Sequence, residues 1–259
     1  MRKRDGFGSR HVRFAGMAMA LSLVLASPVR AVDGVIEINQ TAALAGGITS
    51  CDTPGFPISI CTSGSYRLTS NLDLGTAGQA LAISAEDVSV DLNGMTIRGP
   101  GSCSLTPDGH VGTCLAGGAQ TAGPVVQSTG DRTSIHNGVV RGGVNEVLVN
   151  LQGAGAEAHD LVITQTQLGG LRTGTGASVT NVRVSVCLGN GIETGDSSHL
   201  RDVVATSCSI GVVIGRGGVA EGVVARTNFA GVLVGIGSVL REFAVSGNFL
   251  DGVVVRDGG

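Results

Sequence analysis

Residues 181–192 read Asn181-Val182-Arg183-Val184-Ser185-Val186-Cys187-Leu188-Gly189-Asn190-Gly191-Ile192, and residues 202–212 read Asp202-Val203-Val204-Ala205-Thr206-Ser207-Cys208-Ser209-Ile210-Gly211-Val212. Overlaid, they set Asn on Asp, Val on Val and Cys on Cys. The period continues on both sides. Gly170, Gly191, Gly211, Gly231 and Gly252 stand 21, 20, 20 and 21 residues apart, each before an aliphatic residue. A second column runs Asp160, Asn181, Asp202, Gly222, Glu242, with Leu161, Val182, Val203, Val223 and Phe243 at the next position. Two positions further come Ile163, Val184, Ala205, Ala225 and Val245. Within a unit the apolar residues alternate, as in Val182-Arg183-Val184, which is the period of a β-strand. β-Branched residues dominate. No proline follows Pro124, so no ladder N–H is missing.

A unit of about 20 residues with two or three short strands cannot bury its own apolar face, whereas stacked units close a continuous core. The expected fold is all-β: a single-stranded right-handed parallel β-helix, a solenoid of about 20–22 residues per turn rising ~4.8 Å per rung. Leucine-rich repeats have a similar period but need a dense leucine consensus with asparagine, and here valine and glycine take those places. The repeats are expected over 79–259, with a loop excursion over 100–124 and an irregular N-terminal cap over 32–78. The run Val88–Gly99 resembles Thr133–Gly142, and its Arg-Gly pair lies 43 residues before the second one, a distance that predicts two turns. On that count Asp91 and His136 lie two rungs apart, ~9.6 Å, too far for an acid–base pair without a bridging group.

The run Asp91-Leu92-Asn93-Gly94-Met95-Thr96-Ile97, with the later Asn-Val-x-Val and Gly-Ile units, resembles bacterial secreted right-handed parallel β-helix repeat proteins of the pectin-lyase-like superfamily. Ile38-Asn39-Gln40 and Cys51-Asp52-Thr53-Pro54-Gly55-Phe56-Pro57 look like the start of such proteins. The resemblance covers roughly 33–259. It implies a structural repeat, and in many members an outer-face site that cuts or epimerises acidic polysaccharides. Pectate-lyase-like members use acidic Ca²⁺ ligands and a basic proton acceptor. Polygalacturonase-like members use three close aspartates, Gly-His-Gly and a basic pair with lysine. Here no lysine follows Lys3, no Asp-Asp occurs, and Gly109-His110-Val111 stands where Gly-His-Gly is sought.

The 259 residues include 43 glycines, one tyrosine and no tryptophan, with 14% charged against about 25% in ordinary domains. A hydrophobic share of 42% excludes a disordered chain, and glycine without a period of three excludes collagen. Arg2, Lys3, Arg4, Arg10 and Arg13 precede an apolar run from Phe14 to Ala26, and small or apolar residues at Val29 and Ala31 offer cleavage after Ala31. This is the layout of a secretory signal peptide over 1–31, and the run is shorter than the ~20 residues of a membrane span. A secreted or periplasmic protein without a transmembrane anchor is expected. Without residues 1–31 the chain keeps 11 basic and 19 acidic residues, 11 − 19 = −8, which argues against nucleic acid as partner. An extracellular polysaccharide or a cell-surface component is the expected partner.

Six cysteines in an exported chain read as disulfides. Spacing favours Cys51–Cys61 and Cys103–Cys114. For the latter the zinc alternative brings in Asp108 and His110. Cys187 and Cys208 share a column, so they are either a staple between turns or two stacked thiols. Asn228 and Asn248 continue that column as a structural ladder whose amides can bond one another.

The outward residues with chemistry are few. Asp91, His136, His159 and Arg201 are the candidate catalytic groups. His159, Thr180, Arg201, Glu221 and Arg241 form one column, in which Glu221 can pair with either arginine. Asp160 and Asp202 either ligate Ca²⁺ or fill turn positions that Asp and Asn tolerate; no resident cofactor is otherwise expected. Phe243 falls in a core column. Phe229 and Phe249 stack either inside or outside. The chain stops partway into a repeat with no polar cap, which predicts a truncated product or an end covered by a partner or a second copy. Three functions follow: a non-catalytic exported scaffold or recognition module; a lyase, hydrolase or epimerase of uronate glycans with a non-standard site; or a truncated inactive paralogue.

Overall fold

The computed structural model describes residues 34–118, 123–144 and 146–256; the signal peptide expected over 1–31 lies outside them. The alternating apolar residues form parallel strands that stack into a β-solenoid of about nine turns. One sheet holds nine strands, from Ile58–Ile60 through Leu171–Thr173 and Asn190–Glu193 to Val253–Val255, one per turn. A 14-stranded sheet supplies the other two faces. Ser134–Gly143, Glu157–Thr166 and Ser178–Cys187 run through both of these faces without a break, whereas later turns split them, as in His199–Arg201 and Val204–Thr206.

The core is narrow and aliphatic. Leu161, Val182, Val203 and Val223 pile one above another at 0–1% exposure. Phe243 continues that column but its ring is 50% exposed, a departure from the expected core position. It stands on the last described rung, where only one neighbouring turn packs against it.

The corners explain the polar columns. Asn93, Asn137, Asp160, Asn181, Asp202, Gly222 and Glu242 all have positive φ. This left-handed backbone favours Asn, Asp and Gly, and it bends the chain from the first face to the second. Asp160 and Asp202 thus stand at turn positions. A second left-handed corner holds Gln165, Val186, Ser207 and Thr227.

Residues 34–78, expected as an irregular cap, already contribute rungs. Val35–Ile38 pairs with Gly64–Leu68, and Leu72–Asp73 pairs with Thr96–Arg98. The departures are the helix Gln40–Ala45, capped by Asn39, whose side chain accepts from Ala42 N at 2.9 Å, and the loop closed by Cys51–Cys61.

The excursion is a β-hairpin, Ser102–Leu105 with Val111–Leu115, clipped by Cys103–Cys114. Its length changes the register expected from sequence. Arg98 pairs with Arg141, and Asp91 with His136, so one turn separates them and not two. The surplus residues leave the coil in the hairpin, where they add no rung. The hairpin lies back along the coil: Gln167 Nε2 donates to Cys114 O at 3.4 Å and Ser207 Oγ to Gly109 O at 2.6 Å.

Cys187 and Cys208 form the staple between adjacent turns, Cα–Cα 4.5 Å, one rung apart. Their column ends in asparagines that bond the backbone and not one another's amides. Asn228 Oδ1 accepts from Cys208 N at 2.9 Å and its Nδ2 donates to Ala205 O at 3.1 Å. Asn248 repeats the pattern on Asn228 N and Ala225 O. The preceding left-handed residue interrupts the regular ladder at this corner, and the amide serves the backbone groups there. No helix among the described residues is long and apolar enough to cross a membrane.

Candidate functional site

Pairing between turns lines up one outward residue per rung along the first face. The order is Glu37, Arg67, Asp91, His136, His159, Thr180, Arg201, Glu221 and Arg241. Each points out because its neighbours point in: Ile135 and Ala158 are fully buried beside His136 and His159. All four candidate catalytic residues, Asp91, His136, His159 and Arg201, therefore lie on one polar ladder. A shallow groove of about 300 Å³ runs beside its later part, between Ser178, Thr180, His199, Arg201 and Glu221.

The middle of the ladder is the most highly ordered. The imidazoles of His136 and His159 stack with centroids 4.5 Å apart and planes 7° from parallel. Asp91 closes one end, with Oδ1 4.0 Å from His136 Nε2. Asp160, on the adjoining corner, accepts at 2.9 Å from His159 Nδ1, which fixes that nitrogen as the protonated one. Each carboxylate is held from the next rung by a corner asparagine: Asn137 Nδ2 donates to Asp91 Oδ1 at 3.1 Å, and Asn181 Nδ2 to Asp160 Oδ1 at 2.6 Å. Arg67 Nε adds a bond to Asp91 Oδ2 at 3.2 Å.

The electrostatics follow. Partial burial pushes the Asp91 carboxyl up, but the Asn93 N–H, Asn137, His136 and Arg67 outweigh it and hold the group below the usual carboxylate range. The hydrogen bonds from His159 and Asn181 do the same for Asp160. Burial, then the neighbouring His159, hold His136 below the ordinary histidine value, against the pull of Asp91 and Asp160. The His136 side chain is 23% exposed, and its Nδ1 is buried without a hydrogen-bond partner. At neutral pH the arrangement is two ionised carboxylates flanking a pair of imidazoles, the first of them neutral. The Nε2 of His159 is the ring nitrogen left for a ligand, because Asp160 takes the other. A carboxylate that orients an imidazole is the arrangement that supports proton transfer.

Other candidates separate. Arg201 lies 3.9 Å from Asp202, although Glu221 is its register partner. Asp160 and Asp202 stand two rungs apart, ~9.6 Å, and the Asp160 oxygens are engaged by His159 and Asn181, so the two carboxylates do not converge on one ion. Among the described residues no three His, Cys, Asp or Glu side chains cluster as metal ligands.

Arg67, Asn137 and Asn181 escaped the sequence reading as site residues. The signal was present for Asn181, one member of the corner column. Arg67 and Asn137 were hidden because the early ladder steps by 24, 45 and 23 residues, so no fixed period connects them. No protein-family model, no curated protein and no solved structure matches the chain.

Proposed function

We propose that the chain is an exported β-helix, secreted or periplasmic after cleavage near Ala31, that serves as an extracellular or cell-surface recognition module and holds an extended polysaccharide along its first face. One observation carries the reading: nine outward side chains, eight of them ionisable, stand in register along the coil axis. A linear polymer laid on that axis meets a new donor or acceptor every ~4.8 Å. The kinship with the pectin-lyase-like superfamily, drawn from the Asp91–Ile97 run, belongs to the same proposal.

The test is retention of the purified chain on insoluble neutral and uronate polysaccharides. Retention on at least one, lost about tenfold or more when His136 and His159 are both changed to alanine, supports the reading, since tenfold corresponds to ~1.4 kcal/mol. Absence of retention on every polymer removes it.

A second reading, a lyase, hydrolase or epimerase of uronate glycans, is favoured by the His159–Asp160 contact. There the carboxylate orients the ring and leaves Nε2 to exchange a proton with substrate. Incubation with uronate polysaccharides, with and without Ca²⁺, is read as unsaturated product or reducing ends. Product that disappears with His159→Ala supports this reading, and no product on any polymer removes it.

A further inference from the structure

The column that follows the Cys187–Cys208 staple points outward and reads Leu188, Ser209, Phe229, Phe249. Phe229 and Phe249 are 48% and 70% exposed, and their rings stack with centroids 5.4 Å apart and planes 17° from parallel. Ser209 interrupts the row. Its side chain is too short to fill its place, so a gap one residue thick opens between Leu188 and Phe229, two rungs or ~9.6 Å apart along the axis. The hairpin tip, pinned by the bond from Ser207 Oγ to Gly109 O, roofs this gap. The resulting cleft has a volume of about 490 Å³, and Leu188, Ser209, Phe229, Asp108 and His110 line it. It sits at the corner between the second and third faces, away from the ladder, and does not depend on the function proposed for that ladder.

Two apolar walls face each other here across the thickness of one ring, under a rim that carries a carboxylate and an imidazole. Thr106 Oγ1 donates to His110 O at 2.9 Å and so belongs to the hairpin's own turn. Asp108, 71% exposed at the rim, is an ionised carboxylate and so a pure acceptor at neutral pH. The His110 ring stands 4.0 Å from it.

We infer that this cleft binds a phenolic ring, which takes the open place at Ser209, stacks on the face of Phe229 and donates its hydroxyl to Asp108. Phe229 and Phe249 already have the offset-stacked geometry that aromatic pairs prefer, and the ligand extends their stack by one member. A sugar ring carries hydroxyls around its whole edge, whereas this rim concentrates its acceptor at one point. Small apolar pockets with a few placed polar groups are the usual form of such sites.

The experiment is titration of the full chain with p-cresol, toluene and methyl β-glucoside, followed by calorimetry and by protein NMR shifts. p-Cresol is expected to bind saturably with Kd on the order of 1 mM, as suits a ligand this small. Toluene, lacking the hydrogen bond to a charged acceptor, is expected to bind about tenfold more weakly. Ser209→Phe fills the gap at a half-buried position and should lower p-cresol affinity about tenfold or more with little change in Tm. Phe229→Ala should do the same by removing a wall, and Asp108→Asn should bring p-cresol to the level of toluene. The inference is overturned by any of three results: no saturable p-cresol binding up to roughly 10 mM, p-cresol affinity in Ser209→Phe equal to that of the parent chain, or preference for methyl β-glucoside.

Discussion

The first-face ladder is one structure in register but two in chemistry. From Arg67 to His159 its members contact one another across rungs, and corner asparagines tie the carboxylates down. From Arg201 to Arg241 the same register continues, yet the corner residues become Asp202, Gly222 and Glu242, none of which offers an amide. The left-handed corner is kept in both halves, although the later turns break into shorter strands, and the side chains one position away from the ladder differ. A regular coil supplies the spacing. Whether a stripe of polar residues becomes an organised site depends on what the corners add.

The largest effect tests the seam between the halves. Changing Cys187 and Cys208 together to alanine removes a staple across 21 residues and should cost about 3 kcal/mol, read as a fall in Tm. The imidazole pair should survive this change, because its contacts lie in earlier turns; collapse of its NMR signals below Tm would show that the halves are not separable. Next comes Gly138, beside Asn137. An added Cβ there meets Leu92 Cβ and lies 2.8 Å from Met95 O, whereas at Gly252, in the later half, it has only an ordinary contact with Val245 at 3.4 Å. Gly138→Ala should therefore cost about 2 kcal/mol in urea unfolding, and Gly252→Ala about 0.5 kcal/mol or less. Gly252 lies on the last described rung, and equal costs would show that crowding by Leu92 and Met95 does not set the cost at Gly138.

Smaller still is Asn137→Ala, which removes a bond to an ionised carboxylate and should cost about 1 kcal/mol. Glu221→Ala, on the later ladder, should stay within about 0.5 kcal/mol. The finest test is titration. His136 should titrate below about 6.5, and His159→Ala should move it upward, since both the neighbouring charge and part of the burial go with the ring. The sign for stability follows from the lowered folded value. The unfolded state binds the proton more readily, so the contribution is complete above about pH 6.5 and is lost as pH falls through the folded value. NMR titration of the imidazole carbons checks both statements, and an upward-shifted His136 would contradict the geometry.

Much of this was legible in the chain. The alternation at Val182-Arg183-Val184, the glycine columns and the cysteine pair 21 apart specify the solenoid, because each rung repeats one local pattern. The Asp/Asn column was legible as a turn for the same reason. The organised half of the site was not, although four of its members, Asp91, His136, His159 and Asp160, were singled out individually. Their partnership depends on how many rungs the stretch 92–135 makes, and a hairpin within it consumes residues without advancing the coil. Periodicity counts residues; pairing counts turns. The outward stack of Phe229 and Phe249 was undecided for a related reason, since the left-handed residues Thr227 and Gly247 set which way the following side chains point.

The sequence by itself determined that this protein is a parallel coil with an aliphatic interior, glycine-rich and Asx-rich corners and a cysteine pair in register on adjacent turns, because those features are written in a local repeat that every rung obeys. Only the tertiary structure decided which residues from distant, irregularly spaced segments share a rung, and therefore that Asp91 meets His136, that His136 lies on His159, and that the hairpin tip comes to rest over Ser209. These are contacts between turns, and their register is fixed by backbone pairing across insertions whose length the local pattern does not constrain.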